Sequence, residues 1–197
     1  MSAQILDCTL RDGGYYGNWD FDEDIVYKYL SAVSKAKIDI IEVGFRFLPQ
    51  ERFLGAFAYS ADEYLSTLPL PSEVSVAVMV NAKDLIHYSG GMERGVDLLF
   101  NPCEQSPVNI VRIATHAKDV KECEALAHKI GSLGYRVFLN LMQVDSLQSA
   151  ELEEIVGLVA NWNTIEVLYF ADSFGNLEPG SVARIVASIS SVWGLPI

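Results

Sequence analysis

Six apolar runs rich in β-branched residues alternate with amphipathic segments along this chain of 197 residues. The runs predict strands at residues 4–10, 38–44, 74–81, 109–115, 135–143 and 164–171. Several runs, such as residues 74–80, are apolar on both faces, as is typical of parallel strands that helices cover on both sides. The alternation therefore predicts tandem βα units with a parallel sheet.

The spacing of the predicted strands indicates which parallel fold the units build. Successive strands begin about 30 residues apart, the length of one βα unit. Eight such units would take roughly 260 residues, close to the ~250 of a (β/α)₈ TIM barrel. We predict one domain over residues 1–197, an incomplete TIM barrel of about six βα units, with residues 194–197 entering a seventh strand. The alternative is an open doubly wound sheet, which usually carries a glycine-rich phosphate loop that this sequence lacks.

Helices are predicted between the strands. The first follows the acidic residues 20–24, which favour a helix N-terminus. Its apolar face is predicted to contain Ile25, Tyr29, Val33 and Ala36. Further helices are predicted near Asp119, with Val120, Cys123, Leu126 and Ala127 on the apolar side, after Leu147, and from Pro179.

Composition excludes several classes of function. The net charge of −12 argues against a nucleic-acid partner, which needs a basic surface. No apolar run approaches the ~20 residues of a membrane helix, and the first residues do not resemble a signal peptide. Cys8, Cys103 and Cys123 are widely spaced, which favours small buried residues in a reducing cytoplasm.

Catalytic side chains of a TIM barrel come from the carboxyl ends of its strands. Polar residues at these ends are Arg11, Asp12, Glu42, Arg46, Asn81, Thr115, His116, Asn140, Gln143, Asp172 and Ser173. The first end is the richest, because Arg11 and Asp12 precede Gly13 and Gly14, which would permit a tight turn. Such a carboxylate can bind a divalent cation, and the arginine can bind a carboxylate or an enolate. Alternatively, the two residues form an ion pair that only fixes the loop.

Four segments carry a resemblance to a known family. Asp7-Cys8-Thr9-Leu10-Arg11-Asp12-Gly13 resembles the D-x-T-L-R-D-G motif of the DRE-TIM metallolyases. The three others are Ile41-Glu42-Val43-Gly44, Val111-Arg112-Ile113-Ala114-Thr115-His116 and Tyr169-Phe170-Ala171-Asp172-Ser173-Phe174-Gly175. The last two are most similar to the 4-hydroxy-2-oxovalerate aldolases of this superfamily.

The resemblance implies roles for these residues. Asp12 would bind Mn²⁺ or Mg²⁺, and Arg11 would stabilise the enolate of pyruvate. Glu42 would act in catalysis or hold Arg11. Substrate contacts are implied for Thr115, His116 and Asp172, and we also predict one for Asn140 from its place at the end of the fifth predicted strand.

Two departures from the family pattern weaken part of this assignment. Members hold the metal with a further His-x-His pair, but the histidines here are His87, His116 and His128, so metal binding is expected to be weak or absent. Tyr15 stands where the aldolases have a histidine base. Tyrosine is a poorer base at neutral pH, which leaves the identity of the base open.

The sequence therefore predicts a divalent-metal-dependent carbon–carbon lyase of the pyruvate aldolase type, acting on a 4-hydroxy-2-oxo acid. The alternatives are an acyl-CoA-using synthase or lyase of the same superfamily and a degenerate barrel used for binding. The expected partners are a small 2-oxo acid, other copies of the chain through unpaired sheet edges, and an aldehyde dehydrogenase. Tyr15, Tyr16 and Trp19 would line the barrel mouth or pack its loop. Arg46 and Arg52 would bind an anionic substrate tail or remain solvated.

Overall fold

Strands and helices alternate along the protein in the order that the sequence predicts. The structure is a computed structural model that describes residues 3–172 and 175–197. Its strands are β1 (Leu6–Asp7), β2 (Ile40–Phe45), β3 (Ser75–Asn81), β4 (Ile110–His116), β5 (Arg136–Met142) and β6 (Ile165–Ala171). Its α-helices are α1 (Thr9–Gly17), α2 (Glu23–Ala36), α3 (Ala56–Tyr59), α4 (Asp62–Leu65), α5 (Ala82–Ile86), α6 (Met92–Leu99), α7 (Cys123–Ser132), α8 (Ser149–Ala160) and α9 (Pro179–Val192).

The strands form one parallel sheet in the order β1-β2-β3-β4-β5-β6, so each strand pairs with its neighbour in sequence. A doubly wound sheet would reverse its strand order at a switch point. The sequential order instead matches a curled, incomplete TIM barrel, and the predicted fold class is confirmed. No helix in the described ranges combines the length and apolar character that crossing a bilayer requires.

The concave face of the sheet has an apolar layer with a polar layer above it. The apolar layer takes one residue from each of β2 to β6, namely Ile40, Ala77, Ile110, Phe138 and Val167. Side chains two residues further along a strand share the same face. The next layer therefore consists of Glu42, Met79, Arg112, Asn140 and Tyr169. The charged pair of Glu42 and Arg112 thus lies towards the carboxyl ends of the strands, where barrel enzymes place their sites.

The convex face of the sheet carries the main core. Outward-facing Val78, Ile113 and Leu139 belong to one cluster with Leu126 of α7 and Val156 of α8, and all five are fully buried. Burying such side chains stabilises the fold by about 1.5–3 kcal/mol each. The helices therefore fix the curvature of the sheet that forms the inner face.

Three predictions about individual elements are wrong. Strand β1 ends at Asp7 instead of residue 10, because the chain becomes helical at Thr9. In α2, Ile25 is 56% exposed, and the buried face contains Val26 and Leu30 beside the predicted Val33. Cys123 is buried as predicted, but Cys8 and Cys103 are only half-buried.

The other helix predictions agree more closely with the structure. A 3₁₀ turn at Ala117–Glu122 precedes α7, so that helix begins later than predicted. Val120, Cys123, Leu126 and Ala127 are all buried as expected. Helix α9 begins at Pro179, the predicted entry residue.

A gap lies between β1 and β6 within the described residues. It holds a cavity of about 870 Å³ that Leu6, Cys8, Tyr169 and Ile197 help to line. The backbone N–H of Leu168 on β6 donates a hydrogen bond of 3.1 Å to the carbonyl of Pro196. Residues 194–197 therefore run beside β6, where the sequence places the start of a seventh strand.

Candidate active site

Helix α1 carries the first two candidate residues, and Asp7 fixes where it begins. The Asp7 carboxylate accepts hydrogen bonds from the Thr9 backbone N–H at 3.0 Å and the Tyr29 hydroxyl at 2.5 Å. Burial raises the pKa of Asp7, but the bonds from Tyr29 and Thr9 outweigh it and lower the pKa overall. Asp7 thus ends β1, starts α1 and ties both to α2. Arg11 and Asp12 lie in the first turn of the helix.

A chain of charged hydrogen bonds crosses the polar layer. Arg11 donates from Nε to Glu42 Oε1 at 2.7 Å and from Nη1 to Asp12 Oδ1 at 2.9 Å. Arg112 donates from Nη1 to Glu42 Oε2 at 2.8 Å and from Nη2 to Asn140 Oδ1 at 3.2 Å. Glu42 is fully buried, so its carboxylate links two guanidinium groups out of contact with water. These bonds join α1, β2, β4 and β5 into one unit.

The charges of this unit balance, but they are not distributed evenly. Arg11 and Arg112 carry two positive charges, the buried carboxylate of Glu42 balances one of them, and the exposed carboxylate of Asp12 balances the other. Burial lowers the pKa of Arg11, but Glu42 outweighs that effect and the pKa rises overall. The Arg112 guanidinium also lies 4.4 Å from the centre of the Tyr169 ring, a favourable cation–π contact. The guanidinium groups of Arg11 and Arg112 are the cavity groups that can bind an anionic ligand.

Arg112 was not among the predicted site residues, although it belongs to a motif that the sequence displays. The missed signal was strand periodicity. Arg112 lies two residues before Ala114 on β4, and both residues line the central cavity. Whether a side chain points to the inner face of the barrel indicates a site residue better than how close the residue lies to the strand end.

The central cavity has a volume of about 670 Å³ and opens at the carboxyl ends of the strands. Among the predicted residues it brings together Arg11, Asp12, Tyr15, Asn140 and Asp172. Glu42 does not line the cavity itself, but its carboxylate accepts a hydrogen bond from Arg11, which does. Six of the eight predicted site residues therefore belong to one constellation.

Thr115 and His116 lie apart from this constellation. Thr115 follows Ala114, so it faces the helices, where Cys123 Sγ lies 3.4 Å from its hydroxyl. Thr115 and His116 border a separate pocket of about 260 Å³ that also contacts Lys83. The geometry gives Thr115 no contact with the central cavity, because adjacent strand residues point to opposite faces.

Asp172 lies at the cavity wall and also shapes the loop after β6. Its carboxylate accepts backbone N–H bonds from Asn176 at 2.8 Å and Leu177 at 3.0 Å. Gly175 in this loop has a φ of 70°, which glycine adopts without strain. Ser173, another predicted candidate, lies outside the described residues.

Tyr15 lines the mouth of the cavity and is 61% exposed. Its ring packs edge-on against Trp19 with a centroid separation of 4.9 Å. Burial raises the pKa of the Tyr15 hydroxyl, and the opposing attraction of Arg11 does not offset this. The phenol therefore remains protonated at neutral pH and is suited to donate a hydrogen bond.

Two sequence interpretations near the site are corrected. Gly13 and Gly14 do not form a tight turn, because both lie within α1. Arg46 is neither solvated nor at the cavity, since it is 3% exposed and pairs with buried Asp62. Its Nη1 also donates to the Leu99 carbonyl at 2.8 Å. Arg46 thus fixes the outer layer of the fold.

The described residues alone do not fit the divalent metal that the family resemblance implies. Asp12 and Asp172 offer carboxylate oxygens at the cavity wall, the kind of ligand that Mg²⁺ and Mn²⁺ accept. However, no three His, Cys, Asp or Glu side chains in residues 3–172 and 175–197 cluster as a metal site requires. Asp12 is the candidate ligand, and it is insufficient by itself.

Comparison with known proteins identifies the family. The family model described as HMGL-like matches residues 2–194. The chain belongs to the HMGL-like family. This confirms the resemblance that the four sequence motifs carry.

Two curated relatives of this chain carry the same name. A 4-hydroxy-2-oxovalerate aldolase from Pelotomaculum thermopropionicum is 26% identical over 98% of the chain. A second protein of that name, from Geobacillus genomosp. 3, is 23% identical over 100% of the chain. The chain spans 55% and 56% of the lengths of these two relatives.

Solved structures agree with the barrel architecture of this family. The N-terminal domain of a protein designated an aldolase from Bacteroides vulgatus superposes with a TM-score of 0.87 at 30% identity. The match covers 98% of this chain and 62% of that one. HMG-CoA lyase from Bacillus subtilis superposes with a TM-score of 0.75 at 11% identity, covering 98% and 65% of the two chains, and supports the fold alone.

Proposed function

We propose that this chain provides the 2-oxo-acid-binding part of a carbon–carbon lyase of the pyruvate aldolase type, acting on a 4-hydroxy-2-oxo acid. The observation that carries the proposal is Arg11, which buried Glu42 holds at the wall of the central cavity. The relatives named as 4-hydroxy-2-oxovalerate aldolases support an enzyme of this class.

The proposed cleavage assigns the developing charge to Arg11. A base removes the proton of the 4-hydroxyl group, the C3–C4 bond breaks, and C4 becomes an aldehyde. The bonding electron pair remains on the three-carbon fragment as the enolate of pyruvate. A fixed guanidinium stabilises the enolate oxygen because it needs no reorientation as the charge appears. Protonation at C3 then gives pyruvate.

The other cavity residues take supporting roles in this proposal. Asn140 positions Arg112, Arg112 positions Glu42, and Glu42 positions Arg11, so Glu42 is a positioning residue and not a base. Tyr15 donates a hydrogen bond to a substrate oxygen, since its raised pKa disfavours the phenolate. Asp172 binds substrate at the opposite wall. The proposal uses neither Thr115 nor His116.

A divalent cation and the cellular setting belong to the proposal as well. We propose that Asp12 contributes one ligand to Mn²⁺ or Mg²⁺, a site that the described residues do not complete. We also propose a cytoplasmic location, a homo-oligomer and an aldehyde dehydrogenase partner. An isothermal titration of the chain with Mn²⁺ should give weaker binding in Asp12→Asn, and unchanged affinity would contradict this ligand assignment.

Pyruvate binding tests the central claim. Isothermal titration should detect pyruvate binding to the chain, and Arg11→Ala should weaken it about 10- to 100-fold, the value of one charge-assisted hydrogen bond. Arg52→Ala is the matched control, because Arg52 is an exposed arginine outside the central cavity. Equal affinity in Arg11→Ala and Arg52→Ala would refute the proposed role of Arg11.

A binding barrel without catalysis is the second candidate function. It is favoured by the lack of a complete metal cluster among the described residues. Incubation with 4-hydroxy-2-oxopentanoate and Mn²⁺, followed by an assay for pyruvate, separates the two functions. Pyruvate release supports the lyase, whereas binding without turnover supports the second candidate. A parallel assay for free CoA tests the acyl-CoA alternative.

A further inference from the structure

Helix α1 carries Arg11 and Asp12, but its sequence has a low intrinsic stability as a helix. It spans nine residues, and three of them are the glycines Gly13, Gly14 and Gly17. Each helical glycine costs about 0.5–1 kcal/mol relative to alanine. A helix of this length is also marginal by itself, so contacts with the rest of the fold must hold it. The positions of Arg11 and Asp12 depend on those contacts.

The chain leaves α1 through a strained backbone. Asn18 and Trp19 have φ angles of 52° and 58°, two consecutive residues in the left-handed region. A bulky side chain rarely adopts this region, and doing so costs on the order of 1–3 kcal/mol. This backbone conformation turns the chain back, so that the Trp19 side chain packs against α1. Trp19 is only 8% exposed.

Trp19 contacts α1 through its ring and its indole N–H. The indole Nε1 donates a hydrogen bond of 2.9 Å to the backbone carbonyl of Arg11. A Cβ atom at Gly14 would lie 1.9 Å from Trp19 Cδ1, so only glycine permits this approach. A Cβ atom at Gly55 would likewise lie 2.1 Å from the Trp19 carbonyl oxygen.

Aromatic residues at the end of β2 hold the other side of the ring. Trp19 packs edge-on against Phe45 and Phe47, with centroid separations of 5.6 and 5.4 Å. The indole therefore lies between the sheet and the backbone of α1. We infer that Trp19 is a positioning residue that clamps α1 to β2 and thereby fixes Arg11 and Asp12 at the cavity.

Amide hydrogen exchange and pyruvate titration test the clamp in Trp19→Phe. Phenylalanine preserves an aromatic ring but cannot donate to the Arg11 carbonyl. The expected result is about fivefold faster exchange of the α1 amides and about fivefold weaker pyruvate binding, the effect of one hydrogen bond. The binding measurement rests on the proposed function, whereas the exchange measurement does not.

Trp162→Phe is the matched control. The Trp162 indole N–H is buried and has no hydrogen-bond partner among the described residues, so this variant loses ring area alone. If both variants leave α1 exchange at the wild-type rate, or change it equally, Trp19 is not a clamp. Absence of pyruvate binding in the wild type, with faster α1 exchange in Trp19→Phe, would refute the proposed function but keep the clamp.

A second pair of variants tests the same contact while retaining Trp19. Gly14→Ala forces the indole away from the helix, whereas a Cβ at Gly13 meets nothing closer than Phe21 Cζ at 3.9 Å. Gly13→Ala should slow α1 exchange because alanine favours the helix. Gly14→Ala should accelerate it about fivefold or unfold the chain outright. Slower exchange in both variants would overturn the inference.

Discussion

Glu42→Gln tests the charge network at its centre. The carboxylate is fully buried and accepts from Arg11 Nε at 2.7 Å and Arg112 Nη1 at 2.8 Å. At an effective dielectric constant of 20, each contact supplies about 6 kcal/mol of gross attraction. Desolvation of the three ions offsets most of this. Glutamine cannot replace the carboxylate, because its amide has a single acceptor oxygen and its NH₂ group would face an arginine donor.

The expected loss of unfolding free energy is therefore about 3–5 kcal/mol, the usual result of removing one partner from a buried ion pair. This is a large part of the ~5–15 kcal/mol that stabilises a typical domain. Urea denaturation followed by circular dichroism measures it, and the m-value should stay constant because the exposed surface does not change. Pyruvate affinity should fall with stability, since Arg11 loses its anchor.

Glu166→Gln provides the same substitution on β6 of the same sheet. Glu166 pairs with Arg136 at 2.8 Å, but both side chains are more than 40% exposed. An exposed pair contributes about 0–1 kcal/mol, so this control should unfold close to the wild-type midpoint. Similar losses in Glu42→Gln and Glu166→Gln would show that the network does not hold the site together.

Two further predictions concern pH and assembly. The folded-state pKa of Asp7 is lowered, so its stabilisation is present above the unfolded pKa and lost as pH falls through the folded value. Asp7→Asn should therefore destabilise the chain at pH 7 but much less near pH 2, as urea titrations at both pH values would show. The open edges at β1 and β6, with Ile5 54% and Leu195 53% exposed, predict self-association at high concentration. Light scattering from a monomer throughout the concentration range would contradict that.

The sequence predicts five of the strands closely because their signal is local. Strands β2 to β6 begin and end within two residues of the apolar runs. A strand that is buried on both faces requires a continuous run of apolar residues, and such a run can be recognised in the sequence alone. Strand β1 differs because Asp7 starts a helix through Thr9, while Gly13 and Gly14 resemble a turn. The contact with Trp19 that requires Gly14 is tertiary and leaves no local pattern.

Side-chain direction explains which candidate residues line the central cavity. The strand-end position and the family resemblance predicted Thr115 in the site, whereas alternation along β4 turns its side chain towards Cys123. The same alternation directs Arg112 inward, although it lies further from the strand end. Arg46 could not be assigned from sequence, since its partner Asp62 is fixed by helix α4.

The first turn of α1 carries two residues with different proposed roles, Arg11 for the enolate and Asp12 for the cation. The fold fixes Arg11 more firmly than Asp12. Arg11 has 15% side-chain exposure and is anchored by buried Glu42, so its position is set by the sheet. The Asp12 side chain is 65% exposed, and its carboxylate forms an ion pair with Arg11. An exposed pair of this kind contributes at most about 1 kcal/mol, which a divalent cation can readily outcompete. Asp12 can therefore turn towards a cation without disturbing Arg11. It follows that Asp12→Asn should weaken Mn²⁺ binding while leaving pyruvate affinity nearly unchanged. Parallel losses of both in Asp12→Asn would show that the two tasks are not separable.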